Sequence, residues 1–376
     1  MKKFSKNLMG WILLGFFIIN SNIQINLLNT NFGEPAKFLE IQPDAALYDY
    51  SNIIFRKQFT FDADVELAEY DFDGDNINEF VIFHGNDVFL YEWNGSGFSQ
   101  FDTYSVSGFQ MHSLDIGDVN GDGLGEIVVS NWYNTDNGYE SLNHAYLHVS
   151  TINSEKSRTL LWYGQVTSGT AGEMQIRIGD IDGDGDCEVG YNTQVDSTGS
   201  YGILKWTGSA MVDIMHGTTS WHYCYSVGVG DLDNDGRDEF TFGYGYSGSK
   251  NGDVDTYDYN PSTQLITKRW TVNVGRDPRF PFHFVDLDGD NIDEIVTHAG
   301  VAYDYKARAF NINGDTISQQ GSDFSATGDN GKNFAAGFFD DSGQIKLWTR
   351  ESAILYKLYY FNGANYVTDS TTFDFS

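Results

Sequence analysis

Cysteine is scarce in this chain, basic residues are few, and catalytic signatures are missing. Two cysteines, Cys187 and Cys224, cannot build a disulfide framework. Cys187 ends one acidic loop and Cys224 lies shortly before the next. A rise of about 3.3 Å per residue separates them by roughly 20 Å, beyond disulfide reach. Only 22 Lys and Arg stand against 53 Asp and Glu, for a formal net charge of −31. That balance excludes nucleic acid and anionic membrane surfaces as expected partners. No GxSxG, HExxH or phosphate loop occurs, and the eight histidines are scattered. Beyond the N-terminus no long stretch has a 3.6-residue period, so helices are not expected there.

What the chain does have is one acidic loop written five times, each running into an apolar strand. The copies begin at Asp71, Asp118, Asp180, Asp231 and Asp286. Oxygen-bearing side chains recur at loop positions 1, 3, 5 and 9. They are Asp71, Asp73, Asp75 and Glu79 in loop 1, and Asp118, Asn120, Asp122 and Glu126 in loop 2. Loop 3 has Asp180, Asp182, Asp184 and Glu188, and loop 4 has Asp231, Asp233, Asp235 and Glu239. Loop 5 has Asp286, Asp288, Asp290 and Glu294. Alternating carboxylates on a tight loop can converge on one hard cation, with a position-7 carbonyl completing the shell. Calcium takes six to eight oxygens at about 2.3–2.6 Å in flexible geometry and fits best. Magnesium demands a stricter octahedron, and zinc would want Cys or His, which no ligand position offers. About five Ca²⁺ sites are therefore expected.

The spacer residues agree. Position 4 is Gly74, Gly121, Gly183, Asn234 and Gly289; position 6 is Asn76, Gly123, Gly185, Gly236 and Asn291. Glycine and asparagine tolerate the positive φ that a loop wrapped round an ion requires. An EF-hand is excluded, because position 12 is Ile82, Val129, Tyr191, Phe242 or Thr297 inside β-rich runs. A sixth copy has decayed near Gly337–Trp348. With Asp340 at position 1, Gln344 replaces the acid at position 5 and Trp348 the glutamate at position 9. That unit reads as a turn without metal.

Loop starts at 71, 118, 180, 231, 286 and 340 recur about every 50 residues, and each unit reads as four strands. The first strand precedes the loop, as in Ser226–Gly230, and the second follows it. The third ends in an aromatic turn, as at Trp93-Asn94-Gly95 and Trp206-Thr207-Gly208, and the fourth is polar, as in Phe98–Ser105. Such units predict an all-β fold: a β-propeller of six blades of four antiparallel strands, seven being the alternative. The acidic loops would join first and second strands. Either Asn52–Phe61 or Val367–Phe375 would complete the last blade and hide its edges.

These loops resemble FG-GAP or VCBS repeats, as in the β-propeller of integrin α subunits and in many secreted prokaryotic proteins. The resemblance spans about Phe61 to Tyr366. It implies a propeller with calcium between the first and second strands of a blade, and a ligand face opposite the calcium loops. The family's functions are diverse, so the fold alone names no activity.

Lys2, Lys3 and Lys6 precede an apolar run, Leu8–Ile19, that is short for a membrane span. Residues 1–30 thus read as a signal peptide or N-terminal anchor, 31–45 as a linker and 46–376 as the propeller. The expected location is secreted or at the cell surface, with membrane contact only through an uncleaved N-terminus. Candidate ligand residues lie in aromatic segments expected on the face opposite the acidic loops: Trp132, Tyr133, Trp221, His222, Tyr244, Arg279 and His283. Arg276 and its neighbours Arg279 and His283 could also serve a polysaccharide lyase. The expected function is a calcium-stabilised binding or adhesion module for extracellular protein or glycan. The alternatives are a carbohydrate-active enzyme, lyase or hydrolase, on the same scaffold, and a structural cell-surface protein.

Overall fold

A computed structural model describes the chain from Val65 to Asp374, apart from residues 76, 95–96, 106–109, 134–143, 167–173, 194–197, 221–222, 246–251, 261, 264, 275–277, 300–305, 326–333, 338–344 and 351–354. The expected leader, linker and Asn52–Phe61 segment lie outside the described residues, as do Trp221, His222 and Arg276. All regular elements among the described residues are strands, grouped in six sheets of four.

Sheet 1 comprises β1 (Val65–Tyr70), β2 (Glu79–His84), β3 (Asp87–Trp93) and β4 (Phe98–Ser105). Sheet 2 comprises β5 (Gln110–Gly117), β6 (Glu126–Tyr133), β7 (His144–Ile152) and β8 (Arg158–Gln165). Sheet 3 has β9 (Met174–Gly179), β10 (Glu188–Thr193), β11 (Thr198–Trp206) and β12 (Met211–Ser220). Sheet 4 has β13 (Tyr223–Gly230), β14 (Glu239–Gly245), β15 (Gly252–Asn260) and β16 (Leu265–Asn273). Sheet 5 has β17 (Pro278–Val285), β18 (Glu294–Ala299), β19 (Lys306–Asn313) and β20 (Thr316–Ser325). Sheet 6 has β21 (Phe334–Gly337), β22 (Lys346–Arg350), β23 (Leu355–Phe361) and β24 (Tyr366–Asp374).

Each sheet is an antiparallel meander in chain order, the blade of a propeller-like arrangement. The six-blade expectation matches. The C-terminal segment expected as a blade-closing strand is β24, paired with β23 at the edge of sheet 6. First strands of consecutive blades pack against each other: β1 on β5, β5 on β9, β9 on β13, β13 on β17 and β17 on β21.

Burial follows strand rank. All six residues of β10 are buried, whereas outer β8 mixes exposed and half-buried positions and outer β16 does so except at the buried Trp270. Sheet faces of neighbouring blades enclose the apolar core in layers. Phe72, Val81, Phe83 and Leu90 of blade 1 meet Leu114, Ile127 and Val129 of blade 2. Leu232, Val254 and Trp270 of blade 4 meet Phe282, Ile295 and Phe310 of blade 5. Close approach at the inner strands explains a glycine on β13: a Cβ on Gly228 would sit 2.4 Å from the Phe284 ring.

The sixth unit departs from its expected register. Backbone pairing sets Gly337 opposite Lys346, as Gly117 stands opposite Glu126 and Gly179 opposite Glu188. Lys346 therefore stands where the other blades carry the loop glutamate, and it is buried. Trp348 lies two residues further along β22, opposite Ala335. The paired acids Asp340 and Asp341 suggested a loop start, but strand pairing fixes the register.

Candidate metal centres

In blades 1 to 5 the acidic loop bridges the first and second strands. Its shape follows from the residues the motif repeats. Position 4 has positive φ in every copy: 77° at Gly74, 74° at Gly121, 77° at Gly183, 58° at Asn234 and 85° at Gly289. Position 6 does the same at Gly123, Gly185, Gly236 and Asn291. The first aspartate organises the turn. Its Oδ1 accepts the position-4 amide, at 2.8 Å for Gly74, Gly121 and Gly183 and 2.6 Å for Gly289. Its Oδ2 accepts the position-6 amide at 2.8–3.0 Å in loops 2 to 5.

The glutamate at position 9 closes the loop from below. Its Oε2 accepts the position-2 amide in every copy: Phe72 to Glu79 at 2.9 Å, Val119 to Glu126 at 3.0 Å, Ile181 to Glu188 at 2.9 Å, Leu232 to Glu239 at 2.7 Å and Leu287 to Glu294 at 2.7 Å. Position 2 is a buried apolar plug, a feature the sequence reading passed over. Its burial anchors the loop to the core by about 1.5–3 kcal/mol per side chain. Neighbouring loops are also strung together. The amide of Cys187 in loop 3 donates to the carbonyl of Asp118 in loop 2, and that of Asp238 in loop 4 to Asp180 in loop 3.

One oxygen of each glutamate thus serves the backbone, and in loops 1, 3 and 4 the glutamate also gathers with the carboxylates of positions 1 and 3. Ligand atoms of Asp71, Asp73 and Glu79 lie within 4.8 Å of one another, as do those of Asp180, Asp182 and Glu188 and those of Asp231, Asp233 and Glu239. In loop 5 the matching set is Asp286, Asp288 and Asp290. These clusters have the composition and spacing to hold a metal ion. The buried Glu239 Oε1 and Glu294 Oε1 have no hydrogen-bond partner among the described residues. Orphaned buried oxygens are costly, and a cation between them and the aspartates would satisfy them. An all-oxygen donor set of this kind fits calcium.

Electrostatics point the same way. Burial, reinforced by neighbouring aspartates, pushes Glu239 up to about 9 and Glu294 up to about 8. Burial raises Glu126 to about 7 and Glu188 to about 7, and lifts Glu79 as well. Without a cation the loops cannot hold their full charge near neutrality. Burial and adjacent acids also push the Cys187 thiol up to about 12, so this free cysteine is an inert filler.

Residues 71–129, loop 1 through β6, match the family model for the FG-GAP-like repeat. The chain carries an FG-GAP-like repeat. Loops 3 to 5 reproduce the same hydrogen bonds beyond the matched FG-GAP stretch. No curated protein matches the chain by sequence. Among solved structures, rhamnogalacturonan lyase YesW is 13% identical over 80% of this chain and 70% of its own, with a TM-score of 0.41. The Bacillus licheniformis rhamnogalacturonan lyase PL11 is 14% identical over 79% and 66%, with a TM-score of 0.41. A protein from Lactobacillus plantarum is 8% identical over 82% of each chain, with a TM-score of 0.47. At these values the likenesses say nothing of activity.

The other candidates are dispersed. Trp132 and Tyr133 end β6, and Tyr244 lies near the end of β14, both distal to the acidic loops. Arg279 pairs with His298 near the distal start of β17. His283 pairs with Val296, two residues from the loop end of the same strand. It therefore belongs to the acidic-loop side of blade 5. Residues expected in loops instead extend strands, because aromatic side chains suit the pleated surface.

Proposed function

We propose that this chain is an exported, calcium-stabilised β-propeller that acts as a binding or adhesion module for an extracellular protein or glycan. The observation that carries the calcium part is the repeated loop in which aspartates converge while the buried Glu239 Oε1 and Glu294 Oε1 lack a hydrogen-bond donor among the described residues. In this reading calcium is structural. It would neutralise the clustered carboxylates and lock the turn between first and second strands, and the amide links between loops would pass that order from blade to blade. Extracellular calcium is millimolar, which suits sites of modest affinity.

The binding part rests on division of labour. Rigid acidic turns occupy one end of the blades, while aromatic and cationic candidates such as Trp132, Tyr133, Tyr244 and Arg279 lie toward the other. A rigid scaffold with varied residues at one end is a usual arrangement for recognition. The test is an array of glycans and extracellular proteins probed with the purified chain in calcium and in chelator. Calcium-dependent binding to one ligand class is expected. Turnover of an acidic polysaccharide, lost in R279A or H283A variants, would replace this reading with the lyase alternative. Neither binding nor turnover would leave a structural surface role.

A further inference from the structure

The five loops share their hydrogen bonds but not the groups that face their carboxylates. In loop 3, Lys205 of β11 extends its ammonium between the ligand side chains. Its Nζ lies 2.6 Å from Asp182 Oδ2, 2.8 Å from Asp184 Oδ2 and 2.7 Å from Glu188 Oε1. Those are positions 3, 5 and 9, and the three contacts use all three N–H donors of the ammonium. Lys205 reaches them because it is cross-strand from Glu188, one step beyond the Val189–Leu204 pair. In loop 1 the cation comes from the next blade. Lys156 sits in the β7–β8 turn, which Asn153 shapes by accepting the amides of Glu155 and Ser157. Its Nζ lies 3.0 Å from Asp73 Oδ2 and 3.5 Å from Glu79 Oε1, and it also pairs with Glu92.

The remaining loops differ. The cross-strand position held by Lys205 in blade 3 is Thr151 in blade 2, Asp258 in blade 4 and Asn311 in blade 5. In loop 2 a neutral amide spans the ligands: Asn120 Nδ2 donates to Asp122 and, at 2.8 Å, to Glu126. In loop 4, Arg269 pairs with Asp233 and Asp258 at the rim but leaves Glu239 Oε1 without a partner. In loop 5 the side-chain amides of Asn311 and Gln320 donate to Asp288. A lysine ammonium thus meets the second glutamate oxygen in loops 1 and 3, although Asp182 Oδ1 of loop 3 stays without a hydrogen bond, and that glutamate oxygen has no partner in loops 4 and 5.

We propose that Lys156 and Lys205 are tethered cations that take the metal's place in loops 1 and 3, so that calcium occupies loops 2, 4 and 5 only. This rests on the calcium reading above and divides the loops into two whose glutamate is met by an ammonium and three whose glutamate is not. A tethered ammonium competes at a high effective concentration, and its expulsion would leave three carboxylate contacts to be replaced. Blades 1 and 3 would then keep their loop order where calcium is withdrawn.

The test is calcium titration of the metal-depleted chain by calorimetry and native mass spectrometry, with Lys156→Met and Lys205→Met variants. Three ions are expected for the natural chain, and one more for each variant. Five ions in the natural chain, unchanged in the variants, would overturn the proposal and leave the calcium reading intact. No ion at all would overturn both. Should a variant fail to fold, hydrogen exchange of the natural chain decides. Chelator should deprotect loops 4 and 5 while loops 1 and 3 hold. Equal deprotection of all five loops would refute the lysine assignment.

Discussion

Replacing Glu239 by glutamine should shift stability in opposite directions with and without calcium. Glu239 is fully buried, and its Oε2 accepts the Leu232 amide at 2.7 Å while Oε1 has no partner. Without metal, burial lifts this carboxyl from 4.5 to about 9. At pH 7 the unfolded chain is ionised there and the folded chain is protonated. Taking up that proton costs folding about 3.5 kcal/mol, at about 1.4 kcal/mol for each of the 2.5 pH units above 4.5. Glutamine is already neutral, has a similar shape and still offers an oxygen to Leu232. In chelator E239Q should therefore stabilise the chain by about 1–3 kcal/mol. In calcium the sign reverses, because a charged ligand is lost. A site held at about 100 times its Kd contributes about 2.7 kcal/mol, and most of that should vanish. Urea unfolding of both proteins in both conditions reads the difference. Equal destabilisation with and without calcium would show that Glu239 merely closes the turn, and would refute the reasoning.

Other outcomes follow from the same geometry. The metal-free chain should lose stability as pH rises from about 5 to 9. Glu126, Glu188, Glu239 and Glu294 have folded values of about 7, 7, 9 and 8 above an unfolded 4.5, so the folded state holds more protons in that window. Their contribution is fully present below 4.5 and is lost as pH passes the folded values; a pH series of denaturant midpoints in chelator that rises instead would contradict it. Glu239→Ala should lower the calcium stoichiometry by one in mass spectrometry. Gly228→Ala should cost about 1–3 kcal/mol by forcing a Cβ against Phe284 between blades 4 and 5, with calcium binding retained. A melting temperature equal to that of the natural chain would show that this seam relaxes freely.

The shape of the acidic loops was readable because every determinant is local. Alternating acids, positive-φ glycines and a glutamate at position 9 all act within nine residues, and one turn geometry satisfies them together. Strand β4 was also readable, since the polar run Phe98–Ser105 follows an aromatic turn. Register in the decayed sixth unit was not. Two adjacent aspartates drew the loop start to Asp340, whereas pairing of Gly337 with Lys346 puts a buried lysine in the glutamate's place. Nor were the lysines of loops 1 and 3 visible, because Lys156 and Glu79 meet across 77 residues and two blades. His283 was expected beside Arg279 on the distal face, but β17, which shifts register between the two, carries it toward the loop end.

The central claim is that these loops are calcium sites on which the blades depend. The most direct measurement is the thermal melting of the metal-depleted chain in chelator, in millimolar calcium and in millimolar magnesium. The account predicts a saturable rise on the order of 10 °C with calcium, from several sites of about 2–3 kcal/mol each, and much less with magnesium. Identical melting in chelator and in calcium would contradict it.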